Sequence, residues 1–394
     1  MFSMDACRRR STRVVAMAIL VVAFSSAVPP RPAAAAPCNQ NICVPPDPNT
    51  PPQPNQNDPL QAIVARTPPG GIAQLPPGHF ETNLVLTEAN LMLRGSPQPN
   101  PTILTAADAS HPVVSILGRS AVQIGQLTIV GGNAGIRGFE GSASRFGPPR
   151  VPIVNAFDLD LVGNGRGVSG QFAALRVADS TIRGSVVNGM SILRAPATSL
   201  VRLNIFDSGG NGVVILDPGN NATVFAQNLY LHDNRAAGLY ARRVGGGVVL
   251  IHIEATRNGG AGIAIEDSGQ SYVERSIMSF THSVGGNFGE GLVVFSTTVQ
   301  VSGSRLRANE PFEAALVGCD GPPINKPVSV TFMNDEFVPT DPVDATMAAL
   351  YPLHLCPDGV PPGSVSFPGT TCSSKNCKGM QTVGDSVSPI PITP

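Results

Sequence analysis

Gly212-Val213-Val214-Ile215, then Gly238-Leu239-Tyr240-Ala241, then Gly262-Ile263-Ala264-Ile265: this recurring stretch decides the fold of the 394-residue chain. Each copy is a glycine with apolar residues one and three places later. Gly189-Met190-Ser191-Ile192 precedes the series and Gly291-Leu292-Val293-Val294 continues it. The five glycines stand 23, 26, 24 and 29 residues apart. Fainter copies occur at Gly135-Ile136, Gly167-Val168 and Ala315-Leu316. A period of this size marks a repeat architecture, in which each unit buries its apolar face only by stacking on a neighbour.

Four places before each glycine stand Ser185, Ser208, Asn234, Asn258 and Asn287. Small polar residues at one turn suit hydrogen bonding along a stack, and asparagine tolerates left-handed backbone. Nine and seven places before the glycine come Leu203 and Ile205, Leu229 and Leu231, Ile253 and Ala255. Alternation of this kind between Gly/Asn turns predicts short strands. No long helical stripe separates them, which argues against a βαβ fold, and the spacing of a leucine-rich repeat is absent. A coil of about 22 to 29 residues accommodates three short strands with their turns. Stacked coils then pair equivalent strands in parallel, about 4.8 Å apart.

On these residues the chain resembles the right-handed parallel β-helix, or pectin-lyase-like, superfamily over about residues 58–340. The N-terminal part adds to the resemblance. Leu60 to Ala65 predicts a short capping helix. Gly71 to Phe80, with Pro76-Pro77-Gly78 at its centre, is similar to the first strand and turn of that family, and Leu91-Met92-Leu93-Arg94-Gly95 supplies the next strand. A cap shields the unpaired edge of the first coil. The expected fold is therefore all-β: a right-handed parallel β-helix solenoid with a short N-terminal capping helix and a disulfide-tied C-terminal tail. This architecture hosts lyases, hydrolases, epimerases, adhesins and inert surface proteins, so the resemblance implies a fold before any chemistry.

Residues 1–36 read as an export signal, with Arg8, Arg9, Arg10 and Arg13 ahead of an apolar stretch from Val14 to Val28 and small residues at Ala33 to Ala36. The expected location is secreted, periplasmic or cell-surface, with no stable membrane span once the signal is removed. Residues 37–57 form a Pro/Asn-rich linker, 58–340 the solenoid, and 341–394 a Pro/Cys-rich cap or tail. Residues 138–152 read as a loop leaving the coil. Beyond the signal remain Cys38, Cys43, Cys319, Cys356, Cys372 and Cys377. An even number outside the central coils predicts disulfides, paired as Cys38–Cys43, Cys372–Cys377 and Cys319–Cys356. Zinc is the alternative, but no histidine stands at ligand spacing. Without the signal the chain carries 21 basic and 26 acidic residues, a net of −5 that argues against nucleic acid.

Stacking aligns side chains into columns. Five places after the glycine stand Arg194, Asp217, Arg243 and Asp267, and one place earlier Arg242 lies below Glu266. Alternating signs predict a charge ladder worth about 0.2–1 kcal/mol per pair. A second column lines the outer face of the strand before the turn. It reads Asp158 and Asp160; Asp179, Thr181 and Arg183; Arg202, Asn204 and Phe206; Asn228, Tyr230 and His232; His252, Glu254 and Thr256. The resemblance makes such a face the place where β-helix polysaccharide enzymes carry their catalytic groups.

Two chemistries fit this face. Asp158, Asp160 and Asp179 offer oxygens to Ca²⁺, which would neutralise a uronate carboxylate while Arg183 or Arg202 accepts the C5 proton. Alternatively Tyr230 and His232, with His252 and Glu254, form an acid–base set. The family's own motifs are missing, however: Asp217-Pro218 is followed by Gly219 rather than histidine, and no Gly-His-Gly set occurs. With no tryptophan and four tyrosines, the chain also lacks the aromatics of a deep sugar cleft. The leading expectation is a non-catalytic extracellular or surface protein that contacts extracellular polysaccharide along the Asp158-to-Glu254 face. A polysaccharide lyase or epimerase acting on uronate-containing glycans is the first alternative, which leaves open whether the chain is an enzyme. A structural or adhesive spacer is the second.

Overall fold

The computed structural model describes residues 53–87, 89–139, 151–279, 291–307, 309, 314–317, 329–338, 353–355, 365–366 and 368–372. A Cβ on Gly212 would lie 2.6 Å from the carbonyl oxygen of Gly238; on Gly238, 2.7 Å from that of Gly262; on Gly262, 2.7 Å from that of Gly291. The motif glycine marks where one coil's backbone passes so close to the next that no side chain fits.

Between successive glycines each central coil carries one long and one shorter strand. The long ones include Ala174–Arg183, Ala197–Phe206, Thr223–His232 and Val248–Thr256. The shorter ones include Asn188–Leu193, Val213–Gly219 and Leu239–Val244. Each pairs in parallel with its equivalent, giving an 18-stranded and an 11-stranded sheet. Ile205 is aligned with Leu231 and Leu231 with Ala255, all three fully enclosed. They belong to one apolar core running up the inside of the winding.

The long strand is two legs joined at a corner. Arg202, Asn228 and His252 have φ of 52°, 55° and 54°, the left-handed region. They lie in register with Gln126, Asp158 and Asp179 on one side and Arg275, Gly303, Asn334 and Gly369 on the other, all with positive φ. In the Ala197–Phe206 strand, Thr198 and Leu200 face inward, then Leu203 and Ile205. The extra residue at the corner resets the alternation and turns the chain. The three expected strands per coil are thus present, with two of them hydrogen-bonded as one folded sheet.

A second corner follows the long strand, at Gly131, Gly163, Gly184, Asp207, Asp233 and Arg257, again with positive φ. The column expected to hold left-handed asparagines comes one residue later. The left-handed turn falls on the preceding residue, and the asparagine points inward as a buried hydrogen-bonding rung. Ser208 N–H donates to Asn234 Oδ1 and Asn234 N–H to Asn258 Oδ1, both at 3.2 Å. Their amide nitrogens donate back to Ile205 and Leu231 carbonyls at 3.2 and 3.0 Å. Buried at about 1% exposure or less, Asn234 and Asn258 satisfy turn groups that water cannot reach. Asn287 lies outside the described residues.

The capping helix spans Pro59–Arg66, and its N-cap Asp58 accepts from Leu60 N–H at 2.8 Å. Gln61 makes two 2.9 Å hydrogen bonds with the main chain of Val85, closing the open edge of the first short strand. Leu60 and Val64 complete the core at that end. Strands run on past residue 340, with Leu353–Leu355 paired to Ala314–Val317 and Thr371–Cys372 to Glu336–Val338. The expected export signal and disulfides lie outside what is described, as do residues 140–150 of the loop expected at 138–152, whose first two residues instead end the strand Ile136–Phe139; of the six cysteines, Cys372 enters as main chain alone.

Among the described buried residues, one carries an ionisable carboxyl. Asp335, 1% exposed, follows the corner residue Asn334; its Oδ1 accepts from Ser304 N–H at 2.6 Å, and its Oδ2 has no partner among the described residues. Burial pushes its carboxyl up to about 7.

Two outcomes follow from this packing. Leu231→Ala should cost roughly 2–5 kcal/mol in denaturant unfolding, because the cavity opens inside a continuous column; an unchanged midpoint would contradict the stacking. The Asp335 carboxyl binds its proton more tightly folded than unfolded. Its contribution is therefore complete below about pH 4 and lost as pH rises through about 7. Thermal melts across that window should show a falling stability that Asp335→Asn flattens.

Candidate functional site

The second leg of each long strand presents an outer face. Asp160, Thr181, Asn204, Tyr230 and Glu254 form one aligned row; Arg183, Phe206, His232 and Thr256 form the next. Where Phe206 meets His232 the rings stack at 4.8 Å and 9°, one strand spacing apart. Tyr230 closes on the same imidazole at 4.2 Å and 33°. The His232 side chain is left 13% exposed, held between the two rings.

Its nitrogens are both engaged. Nδ1 lies 2.6 Å from Asp233 Oδ2 and Nε2 lies 3.1 Å from Asn204 Oδ1. Asp233 sits at the second corner with φ 55°, which aims its carboxylate back across the face. Arg257, at the corner of the next coil, grips it with Nε to Oδ1 at 2.8 Å and Nη2 to Oδ2 at 2.7 Å. Arg257 first, then His232, hold the Asp233 carboxyl down at about 2. Asp233 in turn raises the Arg257 guanidinium above its ordinary value, and the Tyr230 side chain adds to this. Tyr230, His232, Asp233, Arg257, Asn204 and Phe206 therefore make one connected cluster. Asp233 and Arg257 were absent from the sequence-derived set. Their signal was available in the corner position next to His232, but only a column of left-handed residues reveals it.

The other expected residues are distributed differently. Arg202 Nη2 lies 2.7 Å from Asp179 Oδ2, and Arg183 Nη2 lies 3.1 Å from Asp160 Oδ2. Each aspartate raises its arginine's pKa, so both guanidiniums are held as cations, a poor state for accepting a proton. Arg202 correspondingly lowers Asp179. A Ca²⁺ ion at Asp158, Asp160 and Asp179 would have to displace both arginines. Among the described residues, no group of three or more His, Cys, Asp or Glu side chains could hold a metal. Glu254 is aligned with Tyr230, whereas His252 stands at the first corner beside Asn228, apart from the cluster.

The shorter sheet carries a second constellation that the sequence reading took as a charge pair alone. The Tyr240 hydroxyl donates to Glu266 Oε2, and Arg242 Nε lies 3.1 Å from Glu266 Oε1, out of line for a hydrogen bond. Burial, then Glu266, push the Tyr240 pKa up. Beside it, Arg243 Nε lies 2.6 Å from Asp217 Oδ1. The charge ladder Arg194, Asp217, Arg243 and Asp267 is in register, and all four residues have positive φ.

With the geometry in place, comparison with known proteins locates the chain. Residues 166–324 match the family described as a right handed beta helix region. The A-module of the Azotobacter vinelandii mannuronan C-5 epimerase AlgE4 superposes with a TM-score of 0.59 at 14% identity, covering 79% of this chain and 90% of that one. The A-module of AlgE6 from the same organism gives 0.56 at 15% identity, covering 80% and 94%. A search of curated proteins finds no match. At such identities the likeness is one of fold. The chain folds as a right-handed parallel β-helix.

The ladder is directly testable. Asp217→Arg places three arginines in consecutive coils and should lower stability by about 0.5–1 kcal/mol at low salt. The loss should shrink at high salt, and Asp217→Asn should cost less. A salt-independent loss would assign it to backbone strain instead.

Proposed function

We propose that this chain is an exported, extracytoplasmic β-helix protein that binds polysaccharide without transforming it. The binding surface is the outer face of the second leg, centred on Phe206, Tyr230 and His232. The observation that carries this reading is the ring ladder, with Phe206 and His232 stacked at 4.8 Å. Stacked on each other, Phe206 and His232 leave their part-exposed edges to solvent beside the part-exposed Tyr230 ring, an apolar strip against which sugar C–H faces pack. The fold supports it, since both epimerase A-modules share this winding. The arginine-led apolar stretch from Arg8 to Val28 supports the exported location. Against turnover stand the paired states of Asp160, Asp179 and Asp233, whose oxygens are already taken by arginine.

One specific observation favours the lyase or epimerase alternative: the Tyr230 ring and the Asp233-oriented His232 imidazole adjoin on the same face. A tyrosine and an oriented histidine are competent acid–base partners.

The two readings separate in one experiment. Purified protein is titrated with a panel of soluble polysaccharides by calorimetry while ultraviolet absorbance reports unsaturated product and NMR reports C5 inversion. Binding with no spectral change, weakened about tenfold or less by Phe206→Ala, is the expected result. Turnover abolished by Tyr230→Phe would replace binding with catalysis.

A further inference from the structure

This inference rests on the glycan-binding reading above and narrows its ligand. We propose that the face selects uncharged polysaccharides and discriminates against polyuronates.

Carboxylate recognition depends on a free cation, most effectively a guanidinium able to offer two parallel N–H donors. The second-leg face and its two corners, over the coils from residue 153 to 279, carry four arginines, and each already has a carboxylate. Arg183 holds Asp160 at 3.1 Å and Arg275 lies 3.2 Å from Glu274. Arg202 and Arg257 each engage both oxygens of an aspartate, Asp179 and Asp233. His232 points its Nδ1 at the same Asp233. Of the charges left over among the described residues there, Asp158 at one corner, Asp207 at the other and Glu254 on the face are acidic; His252, at the first corner, is the titratable exception. The bordering cations stand off the face, Arg176 on the first leg within electrostatic reach of Asp179 and Arg235 two residues past the Asp233 corner.

A uronate reaching this surface meets guanidiniums whose charge an aspartate already balances, and only the N–H groups those pairs leave free. It brings a second carboxylate to a pair that is already neutral, within about one strand spacing of the aspartate. Repulsion from that aspartate offsets the attraction to the guanidinium. A neutral sugar meets no such obstacle. Its apolar face packs on the part-exposed Phe206 and Tyr230 rings, while its hydroxyls donate to the paired carboxylates and accept from the guanidinium N–H groups those pairs leave free.

The test compares a neutral glucan and a neutral mannan with polygalacturonate and alginate by calorimetry. Each is measured at about 0.01 M and about 1 M salt, across which the screening length falls from about 30 Å to about 3 Å. Expected is binding of a neutral polymer whose Kd changes less than about twofold with salt. Expected also is that Asp233→Asn, which frees Arg257 while keeping a residue that tolerates the left-handed corner, creates salt-sensitive polyuronate binding. Tighter wild-type binding to a polyuronate, whether weakened by salt or dependent on added Ca²⁺, would overturn this inference and leave the glycan-binding reading standing. Failure to bind any of the four polymers would overturn the reading itself. Circular dichroism of Asp233→Asn guards against loss of fold, and Phe206→Ala serves as an independent variant for the neutral ligand.

Discussion

Parallel backbone hydrogen bonding between successive coils is the constraint on which the rest depends. Once each strand pairs with its equivalent one turn away, every side chain is obliged to sit over its counterpart. Like must then suit like. Apolar residues stack into a core without a break, as Ile205, Leu231 and Ala255 do. Polar residues at turns must bond along the column, as Asn234 and Asn258 do. Charges must alternate or pair. Individual exposed pairs are weak, so their value lies less in stability than in penalising any slip of register.

The corners carry the cost of this arrangement. A coil has to turn sharply without breaking its ladder, and a single left-handed residue achieves that by resetting the alternation. Non-glycine residues there pay about 1–2 kcal/mol of local strain, yet Asp, Asn, Arg and His fill most of these positions. The return is directional. A corner side chain is swung along the outer surface, where Asp233 meets His232 and Arg257, and Asp179 meets Arg202. The same backbone device that closes the coil therefore builds the electrostatic pattern of the outer face.

That pattern supports the proposed binding role over a catalytic one. Catalytic groups need pKa values displaced toward the working range. Here the pairs drive carboxylates down and guanidiniums up, away from it. Two groups move otherwise. Tyr240 is raised by burial and by Glu266 on the shorter sheet, and Asp335 is raised by burial at the far end of the winding. Neither belongs to the ring ladder.

The amino-acid sequence by itself determined the winding. A glycine followed by alternating apolar residues at a period near 25 leaves one way to bury each repeat, and the inward column could be named residue by residue from it. The cap was legible as well, in the stretch from Leu60 to Ala65, while its N-cap Asp58 and the Gln61 contacts with Val85 emerged only from the structure. The alternating charge column followed from the same alignment. What only the tertiary structure decided was which outward residues act together. Asp233 and Arg257 are 24 positions apart and meet because left-handed corners redirect them. Arg183 and Arg202 became partners of Asp160 and Asp179 for a related reason. Periodicity reports distance along the chain and the side of the strand, but the direction of a side chain at a corner depends on a backbone angle that the contacts of neighbouring coils impose.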